Sequence, residues 1–280
     1  MDKILLQVKS DAAHALREDI GTGDVTAALL LEHLMVEAEI ISREPMLVCG
    51  KPWVNEVFHQ VDSQIKLDWQ VEEGAWLHDA TTLCRIYGPA HSILTAERTA
   101  LNFLQTLSAT ATQTHRYVQQ LNGTKTRLLD TRKTLPGLRV AQKYAVTCGG
   151  GLNHRMGLYD AFLIKENHIK ACGSVAQAIA LARHAHQNIL VEIEVETLDE
   201  LREALAAEPD RIMLDNFSNE LLKDAVRINQ SGQCTLEASG GITLENIADI
   251  ARIGVDFISV GAITKSVQAI DLSLLIREIL

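Results

Sequence analysis

The chain has 280 residues, 47% hydrophobic and 22% charged, with a formal net charge of −10. That balance builds a core and excludes a disordered chain. So acidic a surface is a poor partner for nucleic acid or anionic membrane, and no apolar stretch reaches the roughly 20 residues of a membrane helix.

The five scattered cysteines (Cys49, Cys84, Cys148, Cys172, Cys234) have no C-x-x-C spacing. They indicate reduced thiols in a cytoplasmic protein, not a disulfide framework or a zinc site. The opening residues, with Asp2, Lys3 and Lys9 around a short apolar patch, do not read as a secretory signal.

In chain order, Ile4, Leu5, Val8, Ala12 and Leu16 keep helical spacing, and Gly21 and Gly23 stop that helix. Val36, Ala38 and Ile40 alternate with glutamates. Ile65, Leu67, Trp69 and Val71 alternate with polar residues. Both runs predict half-solvated strands of an antiparallel sheet. Pro52, just after Gly50, suits the first turn of a helix through Val54 and Val57. A long helix follows from about Ala90 to Leu107, with Ile93, Ala96, Ala100, Leu104 and Leu107 as its core stripe. Glu97 falls near the middle of that stripe and reads as structural, since a buried carboxylate needs a partner. Arg98 falls on the flank.

Beyond Thr126, short apolar runs alternate with helical segments: 127–129, 161–164, 190–195, 211–214, 235–236 and 257–260. Strand–helix repetition predicts parallel βα units. The steps between Glu194, Asp215, Ser239 and Gly261 are 21, 24 and 22 residues, one unit each. Every run ends in charge or glycine, as strand ends at the mouth of a barrel enzyme should. Six strands instead of eight make the barrel incomplete. The boundaries are residues 1–110 for a first α/β domain and 111–265 for the barrel, with 266–280 packing back on the first.

In Val191–Glu196, valine and isoleucine alternate strictly with glutamate. The apolar set must face the helices, so Glu192, Glu194 and Glu196 point into the lumen, where each needs a cation. Glu192 sits deepest and reads as part of a closed salt-bridge network. Glu194 and Asp215, near the strand mouths, read as functional, and their hard oxygens beside a phosphate suit Mg²⁺. Between Arg127 and Lys170, eight basic residues face three acidic ones. This local surplus predicts an anionic ligand. Arg132, Lys133 and Lys165 stand at strand ends, whereas Lys143 and Lys170 fit a solvated face. Ser239-Gly240-Gly241 leading into a helix, with Ser259-Val260-Gly261-Ala262 one strand later, forms the usual late-strand phosphate site. Gly149-Gly150-Gly151 follows a helix, so it caps that helix and opens a loop toward His154 and Arg155. A non-catalytic phosphate-binding barrel would gain nothing from Glu194 and Asp215. A sugar-phosphate isomerase or lyase using Lys165 with Glu194 stays open on these residues alone.

The stretches Asp130–Arg139 (DTRKTLPGLR), Lys143–Val146, Gly149–Leu158 (GGGLNHRMGL) and Leu163–Ile169 (LIKENHI) strongly resemble the quinolinate phosphoribosyltransferases. So do Glu18–Thr26, Glu97–Asn102 and Leu214–Phe217, so the likeness covers nearly the whole chain. Glu166 stands where Asp is commoner. The resemblance implies an open-faced α/β sandwich followed by an incomplete parallel α/β barrel of the type II phosphoribosyltransferase kind. It implies a homodimer with shared sites, with a hexamer left open. The implied reaction is quinolinate + phosphoribosyl pyrophosphate → nicotinate mononucleotide + pyrophosphate + CO₂, with Mg²⁺, in NAD biosynthesis. By resemblance, Arg132, His154, Arg155 and Lys165 hold the two carboxylates, helped by Arg98 from the neighbouring subunit. Thr131 is a further substrate contact, and Lys133 lies against the donor. Glu194 and Asp215 hold the ribose hydroxyls and the metal, directly or through water or substrate. Ser239, Gly240 and Gly241 with Ser259, Val260 and Gly261 take the 5′-phosphate. Lys133, Glu194 and Asp215 are the implied catalytic set.

Overall fold

The computed structural model of the chain describes residues 2–31, 33–230, 232 and 234–280. They divide into two compact units: Met1–His115 with Leu135–Gly149 and Ser266–Leu280, and Arg116–Thr134 with Gly150–Lys265.

In the first unit, strands Leu272–Ile279, Met35–Ser42, Thr81–Pro89 and Lys66–Trp69 form an antiparallel sheet in that order. Its central strand shows why one face is closed. Val36, Ala38 and Ile40 are buried with Val8, Ala12 and Leu16 of helix Asp2–Ile20 and with Ile93, Ala96 and Ala100 of helix Ala90–Gln120. The alternate face carries charge across strands: Glu39 lies 3.5 Å from Arg85 and 2.8 Å from Arg277. The sheet is therefore open-faced, as period-two alternation requires. The C-terminal segment joins it as an edge strand. Pro52 opens helix Lys51–Val61, where its missing N–H costs nothing.

The sequence alone assigns all of 111–265 to the barrel, but the structure places 135–149 in the first unit. Helix Arg139–Cys148 sets the Tyr144 ring 5.4 Å from Trp53. Its Gln142 side chain donates to Thr110 Oγ1 at 3.3 Å and accepts the Leu135 N–H at 2.7 Å. Lys143, expected on a solvated face, is fully buried. The basic surplus of residues 127–170 is thus shared between the two units.

The second unit is a six-stranded parallel sheet. Its order is Arg127–Leu129, Phe257–Ser259, Thr235–Ser239, Arg211–Asp215, Leu190–Val195, Ala161–Ile164. That is two strands short of a closed eight-fold barrel. Helices Val175–Ala185, Leu198–Ala206 and Asn219–Ile228 start at the side-chain caps Ser174, Thr197 and Ser218. Val191, Ile193 and Val195 are buried toward the helices, and Glu192 and Glu194 take the other face. Glu196 does not join them. The strand ends at Val195, and exposed Glu196 donates its N–H to Glu200 Oε2 at 2.8 Å, inside the Thr197 capping box.

Candidate active site

The floor of the second unit is a buried charge cluster. Glu192 and Glu237 are both fully buried on strands one apart in the sheet, with Arg211 between them. Arg211 Nη1 donates to Glu237 Oε2 at 3.2 Å and lies 4.0 Å from Glu192 Oε2; its guanidinium sits 4.1 Å from the Phe257 ring centroid. His154 completes the cluster, with Nε2 2.9 Å from Glu192 Oε2 and 3.7 Å from Glu237. Its Nδ1 accepts the Arg155 N–H at 2.8 Å, which assigns the proton to Nε2. Its two ring nitrogens thus face the Glu192 carboxylate and the Arg155 backbone. The His154 N–H donates to Asp130 Oδ1 at 2.8 Å, which ties that loop to the end of strand Arg127–Leu129. Glu192 belongs to a salt-bridge network, as its depth predicts: Arg211 supplies the cation and His154 Nε2 faces its carboxylate.

Two carboxylates sharing so dry a space cannot both ionise cheaply. Burial first, then the charge of Glu192, pushes Glu237 up to about 7 from its ordinary 4.5. A carboxyl raised in this way stabilises the fold fully below pH 4.5 and loses that contribution as pH climbs through 7. At 1.36 kcal/mol per unit, the swing is at most about 3 kcal/mol. Glu237→Gln keeps an acceptor for Arg211 and removes the ionisation. Thermal unfolding at pH 8 should show the variant a few degrees more stable than the parent, with the gap closed at pH 5. Equal destabilisation at both values would refute this account of the cluster.

Above the floor sit the charged strand ends. Lys165, just past strand Ala161–Ile164, donates from Nζ to Glu194 Oε2. Glu194 is only 10% exposed in its side chain, so this ion pair is largely dry on one side. Half-buried Arg155 donates to the Ala161 carbonyl at 3.1 Å. Burial and then the charge of Arg132 depress the Arg155 pKa. Asp215 ends the neighbouring strand, and its Oδ2 accepts from Asn216 Nδ2 at 2.8 Å. The carboxylates of Glu192 and Asp160 offset part of the charge at Arg155.

Next along the sheet come the glycine loops. Gly240 has φ +90°, and a Cβ there would lie 2.1 Å from Asn216 Oδ1, so the position admits only glycine. The expected direct run from these glycines into a helix is not seen. Helix Ile247–Ile253 begins six residues after Gly241, and Thr243 N–H is taken by Asn246 Oδ1 at 2.8 Å. The second loop does behave as expected, since helix Ala262–Lys265 starts directly after Gly261. A Cβ on Gly261 would meet Lys133 Cδ at 3.0 Å and Thr131 Oγ1 at 3.4 Å. Thr264 Oγ1 donates to the Lys133 carbonyl at 2.8 Å. Thr131, Lys133 and Gly261 thus converge where the first and last strands of the unit pair.

Residues 24–108 match the family model "Quinolinate phosphoribosyl transferase, N-terminal domain", and residues 110–275 match the C-terminal domain of the same family. The chain belongs to the quinolinate phosphoribosyltransferase family. It is 43% identical over 268 residues to the nicotinate-nucleotide pyrophosphorylase (carboxylating) of Mycobacterium leprae, covering 93% of this chain and 94% of that one. It is 41% identical to the chloroplastic enzyme of that name from Arabidopsis thaliana, over 93% of this chain and 80% of that one. Among solved structures, the nicotinate-nucleotide pyrophosphorylase of Francisella tularensis superposes with a TM-score of 0.94 at 49% identity, covering 98% and 97% of the two chains.

Within this quinolinate phosphoribosyltransferase, Arg98 is the one expected site residue that lies in the first unit; all the others lie in the second. Arg98 is exposed and lines a cleft with Asp24, Thr95, Val25 and Leu29. Val25 and Leu29 are 85% and 82% exposed, an apolar patch of the kind that marks a contact surface. Its neighbour Glu97 is half-buried, and burial raises its pKa against the pull of Arg98, which fits a structural role. Glu237 and Arg211 are the residues that the sequence alone does not single out. The strand runs on to Ser239, so Glu237 alternates between Leu236 and Ala238 just as Glu192 does between Val191 and Ile193. No helix among the described residues is long and apolar enough to cross a membrane.

Proposed function

We propose that the second unit of this chain transfers the phosphoribosyl group of phosphoribosyl pyrophosphate to quinolinate, with loss of CO₂, to give nicotinate mononucleotide and pyrophosphate. The observation that carries this is the row of charged and glycine strand ends on one sheet: the Lys165–Glu194 ion pair, Asp215 at the end of the next strand, and Thr131 and Lys133 against Gly261. The cations of Arg132, Arg155 and Lys165 suit two carboxylates on one small ring.

In this reading Arg132, Arg155 and Lys165 bind the pyridine dicarboxylate, with His154 holding the Arg155 loop in place. Thr131 and Lys133 face the donor. The loops at Ser239–Gly241 and Ser259–Gly261 take its 5′-phosphate. Glu194 and Asp215 end adjacent strands and meet the ribose hydroxyls. Displacement at the anomeric carbon builds positive charge on the ribose as pyrophosphate departs. Glu194 and Asp215 favour that charge, and Lys133 stabilises the departing anion. Once the ring nitrogen is alkylated, the pyridinium accepts the electron pair released with CO₂, so no protein nucleophile is needed.

The donor set also fits Mg²⁺. Glu194 and Asp215 are hard oxygen ligands on neighbouring strands, and each already shares one oxygen with Lys165 or Asn216. They would hold the ion, directly or through water or substrate. Bound there, Mg²⁺ neutralises charge on the leaving group.

The test is release of pyrophosphate and CO₂ from quinolinate plus donor, with nicotinate as competitor. Each lost charged hydrogen bond costs about 1.5–3 kcal/mol, and about 1.4 kcal/mol is tenfold. Nicotinate, lacking one carboxylate, should therefore be used at least tenfold less efficiently in kcat/KM. Comparable use of the two acids would sink the assignment.

A further inference from the structure

Cys49 and Cys148 are 99 positions apart in sequence, yet their thiols meet in the first unit. Their sulfurs and a carboxylate oxygen of Glu73 all lie within 4.8 Å of one another. Both cysteines are free thiols. The nucleotide-forming chemistry uses neither.

The backbone around each sulfur is pinned to one helix, Ala90–Gln120. Ser108 Oγ accepts the Cys49 N–H at 3.0 Å and donates to the Cys49 carbonyl at 3.0 Å. Gly149, directly after Cys148, is pressed so closely on the next turn that a Cβ there would lie 2.5 Å from the Ala111 carbonyl oxygen and 2.6 Å from Thr114 Cβ. Residues 108 and 111 are one helical turn apart, so a single rigid element holds both thiols in register.

Metal ligation is the competing use of such a cluster, and the carboxylate argues against it. Glu73 already accepts the Gly50 N–H at 2.8 Å, the Lys51 N–H at 3.1 Å and the Tyr144 hydroxyl at 3.1 Å. The thiols, in contrast, have each other.

We propose that Cys49 and Cys148 are a redox-modification site, which a peroxide closes reversibly into an intrachain disulfide. Half-buried Cys148 is the thiol that reacts first, and fully buried Cys49 resolves it. The neighbouring Cys49 thiol lowers the Cys148 pKa despite burial, whereas burial raises that of Cys49. The Cys148 thiolate attacks one peroxide oxygen and the O–O bond breaks. Sulfenic acid and hydroxide result, and the hydroxide takes up the proton that Cys148 gave up. The Cys49 sulfur then attacks the Cys148 sulfur. The S–S bond forms, the S–O bond breaks, and the departing oxygen leaves as water with the Cys49 proton. Overall, two thiols and one peroxide become one disulfide and two waters. The remaining cysteines lack this arrangement: Cys84 is buried in the first unit with its pKa pushed up to about 12, and Cys172 and Cys234 lie in the second unit.

Native reduced protein is treated with hydrogen peroxide, quenched with an alkylating agent and weighed intact. The expected product is 2 Da lighter, carries two fewer alkyl groups after unfolding, and gives a single crosslinked peptide joining residues 49 and 148. Dithiothreitol reverses it, and the oxidised form unfolds several degrees higher, because the crosslink restrains a loop of about 100 residues. Cys49→Ser and Cys49→Ala should instead accumulate a Cys148 sulfenic acid that dimedone traps. Parent-like melting of either variant shows that it is folded. Recovery of both thiols fully alkylated, or crosslinking only after denaturation, overturns the proposal. So does one equivalent of zinc held against EDTA by the untreated protein and lost in Cys148→Ser.

Discussion

Arg155→Ala is expected to weaken quinolinate binding at least tenfold when no donor is present, whereas Asp215→Asn and Glu194→Gln leave that binding within about twofold. The two acid variants should instead lose roughly a hundredfold in turnover with both substrates bound, the scale of one misplaced transition-state charge. The division follows from where these side chains sit. In the proposed site half-buried Arg155 grips a quinolinate carboxylate, so its truncation would remove a charge-assisted fork. Asp215 ends its strand and Glu194 stands one residue before the end of its own, and an acid beside a dianion gives it no ground-state binding. Arg155 also donates to the Ala161 carbonyl, so Arg155→Lys is the control: it keeps the charge, loses the fork and should fall between. Equilibrium titration of quinolinate, followed by kinetics at saturating donor, reads both effects. If Asp215→Asn abolished binding without donor, the roles of acids and bases would be reversed.

Mixing two nearly inactive variants, Arg98→Ala and Lys165→Ala, is expected to restore about a quarter of parental activity. We propose a two-fold dimer in which Arg98 of one subunit serves the site of the other. Arg98 is exposed in the first unit beside the apolar Val25 and Leu29, whereas Lys165 pairs with Glu194 in the second. In a mixed dimer, one site carries both defects and the other carries neither. Random re-association makes about half the dimers mixed, each with one intact site of two. Co-expression with two affinity tags isolates the mixed species, which should itself reach half the parental rate. Activity that stays at the level of the separate variants in that species places Arg98 in its own subunit's site, or in none.

Much of the second unit was legible because strand periodicity is a two-valued signal. Once Val191 and Ile193 must face helices, Glu192 and Glu194 have one place to go, and depth along the strand separates a salt-bridge partner from a mouth residue. The same logic failed at Glu196, where a capping box one residue later ends the strand and turns the acid outward. It also stopped short of Glu237, because Ser239 and the glycines after it resemble a loop more than the end of a five-residue strand. The expected glycine-to-helix step is present at Gly261 and absent at Gly241, where a turn held by Asn246 delays the helix.

Local pattern determined what depends on near neighbours: the open-faced sheet, the parallel βα order, the strand ends that carry charge, and the motifs that identify the family. Tertiary structure alone decided what depends on distant partners. It drew residues 135–149 into the first unit and buried Lys143, since a helix with apolar positions on more than one side packs wherever the larger apolar surface lies. It set Arg211 between Glu192 and Glu237 and turned both nitrogens of His154 inward, because a buried charge goes to whichever cation the sheet order brings alongside. It also brought Cys49 to Cys148, a meeting that no spacing along the chain records, because both are fastened to the same helix.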